Sequence, residues 1–305
     1  MISFLRLTRL PNLIIIVLSQ ALVRYCLIMP AYQVQYNNTE LFPDHLNKPE
    51  FILLVLATVL IAAAGNIIND VFDVSIDEVN KPGRNIVGKK ISEKAARTLY
   101  YVFCGIGVLI GFYLAIRIQK PVMGFIYVFA AGSLWMYSSY YKRKLLTGNI
   151  LIAVLSGLAL LIVGLFEPEF YPNMIYLLFY SGFAFIVSLI REIIKDLEDM
   201  EGDRLAQSKT LPLVAGIKWS KIILIFLIAV TMICIARVLH ADFYGNKVIS
   251  FWNLLAIFEI PFIGLAYLVI TANEKKDYHF ASLTTKIIMV AGVMSLFPFY
   301  YFFLR

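Results

Sequence analysis

Residues 51–77 read FILLVLATVLIAAAGNIINDVFDVSID. The first fifteen positions are almost wholly apolar and the segment runs on to residue 70, the ~20 residues a helix needs to cross ~30 Å of hydrocarbon. The run then ends in amides and acids: Asn66, Asn69, Asp70, Asp73 and Asp77. A second stretch repeats the pattern. Residues 191–203, REIIKDLEDMEGD, close another apolar run and carry Arg191, Glu192, Lys195, Asp196, Asp199 and Asp203. In both stretches three aspartates fall at i, i+3 and i+7, positions that share one face of a helix.

Outward from these runs the chain keeps the same character. Of its 305 residues 60% are hydrophobic and 15% charged, against ~45–50% and ~25% in soluble proteins. Nine apolar segments can be marked, at about 11–29, 51–70, 96–116, 121–140, 149–166, 173–193, 220–239, 251–271 and 284–304. Inside a bilayer every backbone polar group must bond within its own segment, so helices are the expected form. The fold class read from this is an all-α polytopic membrane protein of about nine spans, a single domain over 1–305. Pro11, Pro121 and Pro172 stand at segment starts, where a missing N–H costs little. Pro261 and Pro298 lie inside segments, and kinks are expected there. The first segment has no small-residue cleavage site after it and reads as a retained span.

The formal net charge is +7. It points to membrane orientation rather than to nucleic acid. With the N-terminus inside, 20 of the 27 Lys and Arg residues fall on the inner side, as the positive-inside rule requires. Both acidic stretches then lie on the cytoplasmic side of the plasma membrane. The three cysteines, Cys26, Cys104 and Cys234, have neither disulfide nor zinc spacing.

Six carboxylates at a membrane surface repel one another unless a cation neutralises them. Magnesium takes oxygen ligands and is usually completed by substrate phosphates. Asp70, Asp73, Asp77, Asp196, Asp199 and Asp203 are therefore candidate metal ligands. Asn66 and Asn69 are candidates for the diphosphate, as are Arg84, Lys142, Arg143, Arg191 and Lys195. Arg191 and Lys195 are one turn apart within an apolar helix, where ionisable groups are costly and usually functional. Tyr137, Tyr140 and Tyr141 are candidates for facing a carbocation. A cation-coupled transporter would place its acids near mid-bilayer on broken helices. An intramembrane aspartyl protease needs two acids sharing a proton. Two aspartate triplets at helix ends fit neither.

These residues also carry a family resemblance. NDVFDVSID (69–77), followed by NKPGRN (80–85), resembles the first signature of UbiA-type intramembrane prenyltransferases. KDLEDMEGDRLAQSKTLP (195–212) resembles the second, and YSSYYKRKLLTGN (137–149) is similar to the family's Tyr…Lys-Arg…Gly-Asn segment. The resemblance implies a helical bundle around a central cavity, Mg2+ as cofactor, and a prenyl diphosphate donor. Asp70, Asp73, Asp196 and Asp199 would be catalytic, and a lipophilic acceptor would capture the prenyl group. The opening LTRLPNLI (7–14) resembles the first helix of the digeranylgeranylglyceryl phosphate synthases. That implies transfer of a geranylgeranyl group to geranylgeranylglyceryl phosphate. The alternative is an aromatic acceptor such as 4-hydroxybenzoate or a naphthoate. Arg6, Arg9 and Asn12 fall at i, i+3 and i+6, and each step drifts by only ~60° around a helix. Arg9 and Asn12 are the candidate acceptor contacts.

Overall fold

A computed structural model of the chain describes residues 2–30, 32, 46–74, 85–167, 174–243 and 248–300, with side chains except at 2, 238–243 and 248–258. The helices in chain order are α1 (Ile2–Leu7), α2 (Leu10–Leu22), α3 (Lys48–Phe72), α4 (Glu93–Arg117), α5 (Phe125–Ser139) and α6 (Thr147–Leu165). They continue with α7 (Met174–Glu198), α8 (Met200–Leu205), α9 (Leu211–Val214), α10 (Gly216–Phe243), α11 (Val248–Thr271), α12 (Lys275–Met294) and α13 (Leu296–Phe299). Among the described residues, eight helical stretches are long and apolar enough to cross a membrane. The ninth expected segment, 251–271, falls within α11, where Glu259–Thr271 is a shorter described apolar stretch.

Local chemistry sets the helix ends. Asn47 caps α3 by accepting from the Glu50 N–H at 2.9 Å, while Glu50 accepts from the Asn47 N–H at 2.9 Å. This reciprocal capping satisfies two donors that a helix start leaves open. The same device begins α12. There Asp277 accepts from the backbone N–H groups of Asn273 and Glu274, both at 2.9 Å. It starts the last long helix at Lys275 rather than at the expected 284, because capping lets a polar first turn join an apolar helix. Pro298 removes the N–H that would bond the Met294 carbonyl, and the helix is interrupted there, between α12 and α13. Helix α11 runs through Pro261. Pro172 lies outside the described residues.

The chain divides into two compact units, Met1–Lys142 with Leu158–Leu178, and Arg143–Gly157 with Phe179–Arg305. In the first, Leu7, Ala64, Ile67, Ile68, Val71, Ala96 and Tyr100 form a core. Helices approach closely through glycine: a Cβ on Gly111 would stand 2.2 Å from the Tyr127 ring. Away from that core a charged pair is buried. Arg24, in a π-helical stretch Val23–Ile28 that extends α2, bonds Glu167 at 2.7 Å and also donates to the Leu46 carbonyl. Its guanidinium stacks 4.6 Å from the Phe51 ring centroid. In the second unit, Val187, Ile190, Ile194, Leu224, Phe262, Leu265 and Ile288 are core residues. There a Cβ on Gly157 would stand 2.8 Å from the Ser181 carbonyl oxygen, so α6 and α7 meet backbone to backbone.

Candidate active site

The two acidic stretches end their helices in the same way. Helix α3 stops at Phe72, and Asp73 follows with φ −94° and ψ 1°. Helix α7 stops at Glu198, and Asp199 follows with φ −101° and ψ 10°. Each of these aspartates still sends its N–H to the carbonyl four residues back, Asn69 and Lys195 respectively, at 2.9 Å. The expected single helical face is therefore corrected. In each stretch the helix ends at the second aspartate, and Asp203 sits in the separate short helix α8. Aspartate competes for backbone hydrogen bonds and favours helix termini over interiors. Asp77 and Arg84 lie outside the described residues.

Around the first stretch, cations and amides converge on the acids. Asn69 donates to Asp73 at 2.6 Å, and Lys142 pairs with the same Asp73 oxygen. The Lys142 ammonium also reaches the Asn69 carbonyl oxygen at 3.5 Å. Asp73 is only 4% exposed. Asn66 is turned aside and donates to the Thr8 carbonyl at 3.0 Å. Arg9 donates to Asp70 at 2.9 Å. This corrects the expected face of Arg6, Arg9 and Asn12. The helix breaks at Thr8 and Arg9, and Arg9 takes a left-handed conformation with φ 53° as the residue before α2. Arg6 and Asn12 thus lie on different helices, and the Arg9 guanidinium is committed to the first acidic stretch.

Around the second stretch, Asn149 donates to Asp196 at 2.8 Å. The Lys209 N–H bonds the Arg143 carbonyl at 2.9 Å, tying the segment before α6 to the chain just past Asp203. The Arg143 side chain is exposed. Arg191 and Lys195 both pair with Glu192, at 3.2 and 3.4 Å. One oxygen of Asp199 is buried without a hydrogen-bond partner among the described residues. Tyr140 and Tyr141 meet edge to face at 5.3 Å.

Sequence reasoning did not single out Asn149, whose amide the fold brings to Asp196. Its signal was present as the Gly148-Asn149 pair, but only the fold shows that the amide meets Asp196.

Among the described residues no three acidic, histidine or cysteine side chains gather as a ready-made metal cluster. The chemistry of the donor set nevertheless suits a hard divalent ion. The donors are carboxylates and amide oxygens, and the orphaned Asp199 oxygen is an acceptor in want of a cation.

The sequence pattern of the UbiA prenyltransferase family matches residues 41–300. The digeranylgeranylglyceryl phosphate synthase of Methanosphaera stadtmanae is 31% identical over 253 residues, covering 82% of this chain and 88% of that protein. The synthase of the same name from Methanocaldococcus jannaschii is 32% identical over 244 residues, covering 78% and 80%. A solved digeranylgeranylglyceryl phosphate synthase structure matches with TM-score 0.65 and 26% identity across 97% of this chain and 96% of that one. A UbiA homolog from Archaeoglobus fulgidus bound to GPP and Mg2+ shares the fold at TM-score 0.56 and 15% identity, over 97% and 99% of the two chains. The family pattern spans most of the sequence, and its relatives match over most of their own lengths. The chain belongs to the UbiA prenyltransferase family.

Proposed function

We propose that the protein is a single prenyltransferase domain over residues 1–305 that transfers a geranylgeranyl group from its diphosphate to geranylgeranylglyceryl phosphate. The observation that carries this reading is the pair of acidic stretches, each closing its helix at the second aspartate. The names of the relatives support the choice of acceptor. Asp70, Asp73, Asp196 and Asp199 would hold Mg2+, with Asp77 and Asp203 as outer carboxylates. Bound magnesium would neutralise the diphosphate as it leaves. Asn69, Lys142 and Arg191 would hold diphosphate oxygens, together with Asn66, Arg84, Arg143 and Lys195. Arginine suits two-point phosphate contact and lysine acts as a point charge.

The step is a substitution at the first prenyl carbon. Its bond to the diphosphate oxygen breaks, and the electron pair leaves with the diphosphate. The acceptor hydroxyl oxygen bonds the allylic carbon and gives up its proton to water or to the departing diphosphate. Apolar helices would hold the prenyl tail and keep water from the cation. Arg9 would act at the first acidic stretch, since it already holds Asp70. Asn12 keeps its proposed place at the acceptor. Both acidic stretches would face the cytoplasm from the plasma membrane, because basic residues concentrate on that side.

The test incubates purified protein with geranylgeranyl diphosphate and a panel of acceptors, with magnesium or with chelator, and identifies products by mass spectrometry. The expected product is the doubly prenylated glyceryl phosphate, formed only with magnesium. Efficient prenylation of 4-hydroxybenzoate or a naphthoate, with the glyceryl phosphate ignored, would reassign the acceptor.

A further inference from the structure

Each helix-ending aspartate follows a residue that is itself gripped from another helix of the same unit. Helix ends fray, because their last carbonyls have no intrahelical donor. A carboxylate just past such an end is placed only as well as the final turn. The residue before Asp199 is Glu198, the last of α7. An acid there opposes the partial negative charge at a helix C-terminus, and this side chain is only 11% exposed. It calls for a donor, and His279 supplies one. The ring Nδ1 stands 2.8 Å from a Glu198 carboxylate oxygen. Because an ionised carboxylate only accepts, Nδ1 is the donor.

His279 is held in turn. It lies four residues past Lys275, the start of α12, and the turn before it is pinned. Lys221 of α10 donates to the Ile270 carbonyl at 3.0 Å and also to the Ala272 carbonyl. The Tyr278 hydroxyl donates to the Ala272 carbonyl at 3.4 Å. The first unit has a counterpart built from different chemistry. The residue before Asp73 is Phe72, the last of α3. The Arg97 guanidinium lies 5.4 Å from the Phe72 ring centroid, and Trp135 of α5 meets that ring edge to face at 6.3 Å. Arg97 is four residues past Glu93, the start of α4, and donates to Glu93 at 2.8 and 3.0 Å. In both units the gripping side chain stands at the same place in a capped helix, since Ser92 accepts from the Ala95 N–H at 3.2 Å as Asp277 caps α12.

We propose that His279 and Arg97 are positioning residues: each fixes the last residue of a helix and, through it, the carboxylate of the aspartate that follows. This rests on the function proposed above and deepens it, by naming what holds Asp199 and Asp73 in place for a divalent ion. Among the described residues His279 bonds Glu198, and Arg97 contacts Glu93 and Phe72. Each therefore acts on its aspartate through a neighbour. Exposed ion pairs and cation–π contacts add little to overall stability, so the effect is local to the helix end.

Full-length wild type, His279→Ala, Arg97→Ala and His279→Asn are compared in lipid nanodiscs. Asparagine keeps an amide donor near the place of Nδ1. Two quantities are measured: amide hydrogen exchange of the metal-free protein by mass spectrometry, and Mn2+ affinity with inorganic pyrophosphate present. His279→Ala should speed exchange over residues 195–203 by about two- to fivefold, the scale of one exposed contact, and leave 69–74 unchanged. Arg97→Ala should do the reverse. Mn2+ affinity should fall about tenfold in each, the low end of the loss when a residue behind a metal ligand is removed. His279→Asn should keep most of the wild-type protection and affinity. Unchanged exchange in both alanine variants would overturn the proposal. So would faster exchange along the whole of α7 or α3, which would mean general loosening, or full Mn2+ affinity despite faster exchange at the helix ends. If wild type turns over no prenyl diphosphate, the proposed function fails, while the exchange result still decides the positioning role.

Discussion

Asp73 and Asp199 are candidate site residues that also end their helices. Each leaves helical geometry at a near-zero ψ and still bonds back to the helix. That sets each carboxylate just past the end of its helix. Replacing Asp73 or Asp199 with Ala should cut turnover by orders of magnitude, and Mn2+ binding in the presence of pyrophosphate should fall with it. Retained Mn2+ binding in both variants would remove them from the ligand set. Asn149 makes a subtler case. Its amide holds one oxygen of Asp196 at 2.8 Å. Partners of that kind orient metal ligands, and losing one typically costs ~10–100-fold in metal affinity. Asn149→Leu should therefore raise the magnesium concentration needed for half-maximal rate by roughly that factor, with the metal-free melting temperature unchanged. A drop in rate that saturating magnesium does not restore would argue against this part for Asn149.

Two features of the helices can be tested by their stability. Arg24 and Glu167 are both almost fully buried and bonded at 2.7 Å. Breaking such a pair from one side leaves an unpaired buried charge, at a cost of ~3–5 kcal/mol, whereas replacing both partners by apolar groups is often neutral. Arg24→Met alone should lower the thermal midpoint in detergent sharply, and Arg24→Met with Glu167→Leu should restore most of it. Additive losses in the double variant would show that packing, not charge pairing, sets the effect. The meeting of α6 and α7 offers a second test. Gly157→Ala drives a methyl against a backbone carbonyl at 2.8 Å, and backbone does not yield as a side chain does. A loss of ~1–3 kcal/mol is expected. Gly182→Ala in the same helix pair meets nothing within 4 Å and should be tolerated.

The whole molecule has a direction that the charge pattern predicts. Of 27 basic residues, 20 fall on one side of the expected topology. In a chain freed of its three native cysteines, a cysteine at Ser92 should stay unlabelled by an impermeant reagent in intact cells. One at Asn38, in a segment outside the described residues, should label. The reverse pattern would move both acidic stretches to the outer face and separate them from a cytoplasmic donor. The product assay is the other test at this scale, since the acceptor is decided by the protein as a whole rather than by one side chain.

Much of this protein was legible in its sequence because a bilayer leaves so few choices. Apolar runs of spanning length must become helices, and the runs marked in the sequence are mainly helical over their described residues. The acids at the ends of two of them pointed to the candidate site, since repeated aspartates at one spacing have few other uses. The sequence could not show where each helix stops within its acidic stretch. The i, i+3, i+7 spacing reads as a helical face, yet local competition between aspartate and the backbone ends each helix at the second acid. Nor could spacing predict that Arg9 would leave its expected row, because a left-handed residue between α1 and α2 redirects the guanidinium to Asp70. The Asn149–Asp196 contact and the Arg24–Glu167 pair were invisible for the same reason. Each acts on a partner that is remote in sequence, and only tertiary packing brings an amide to a carboxylate or one buried charge to another.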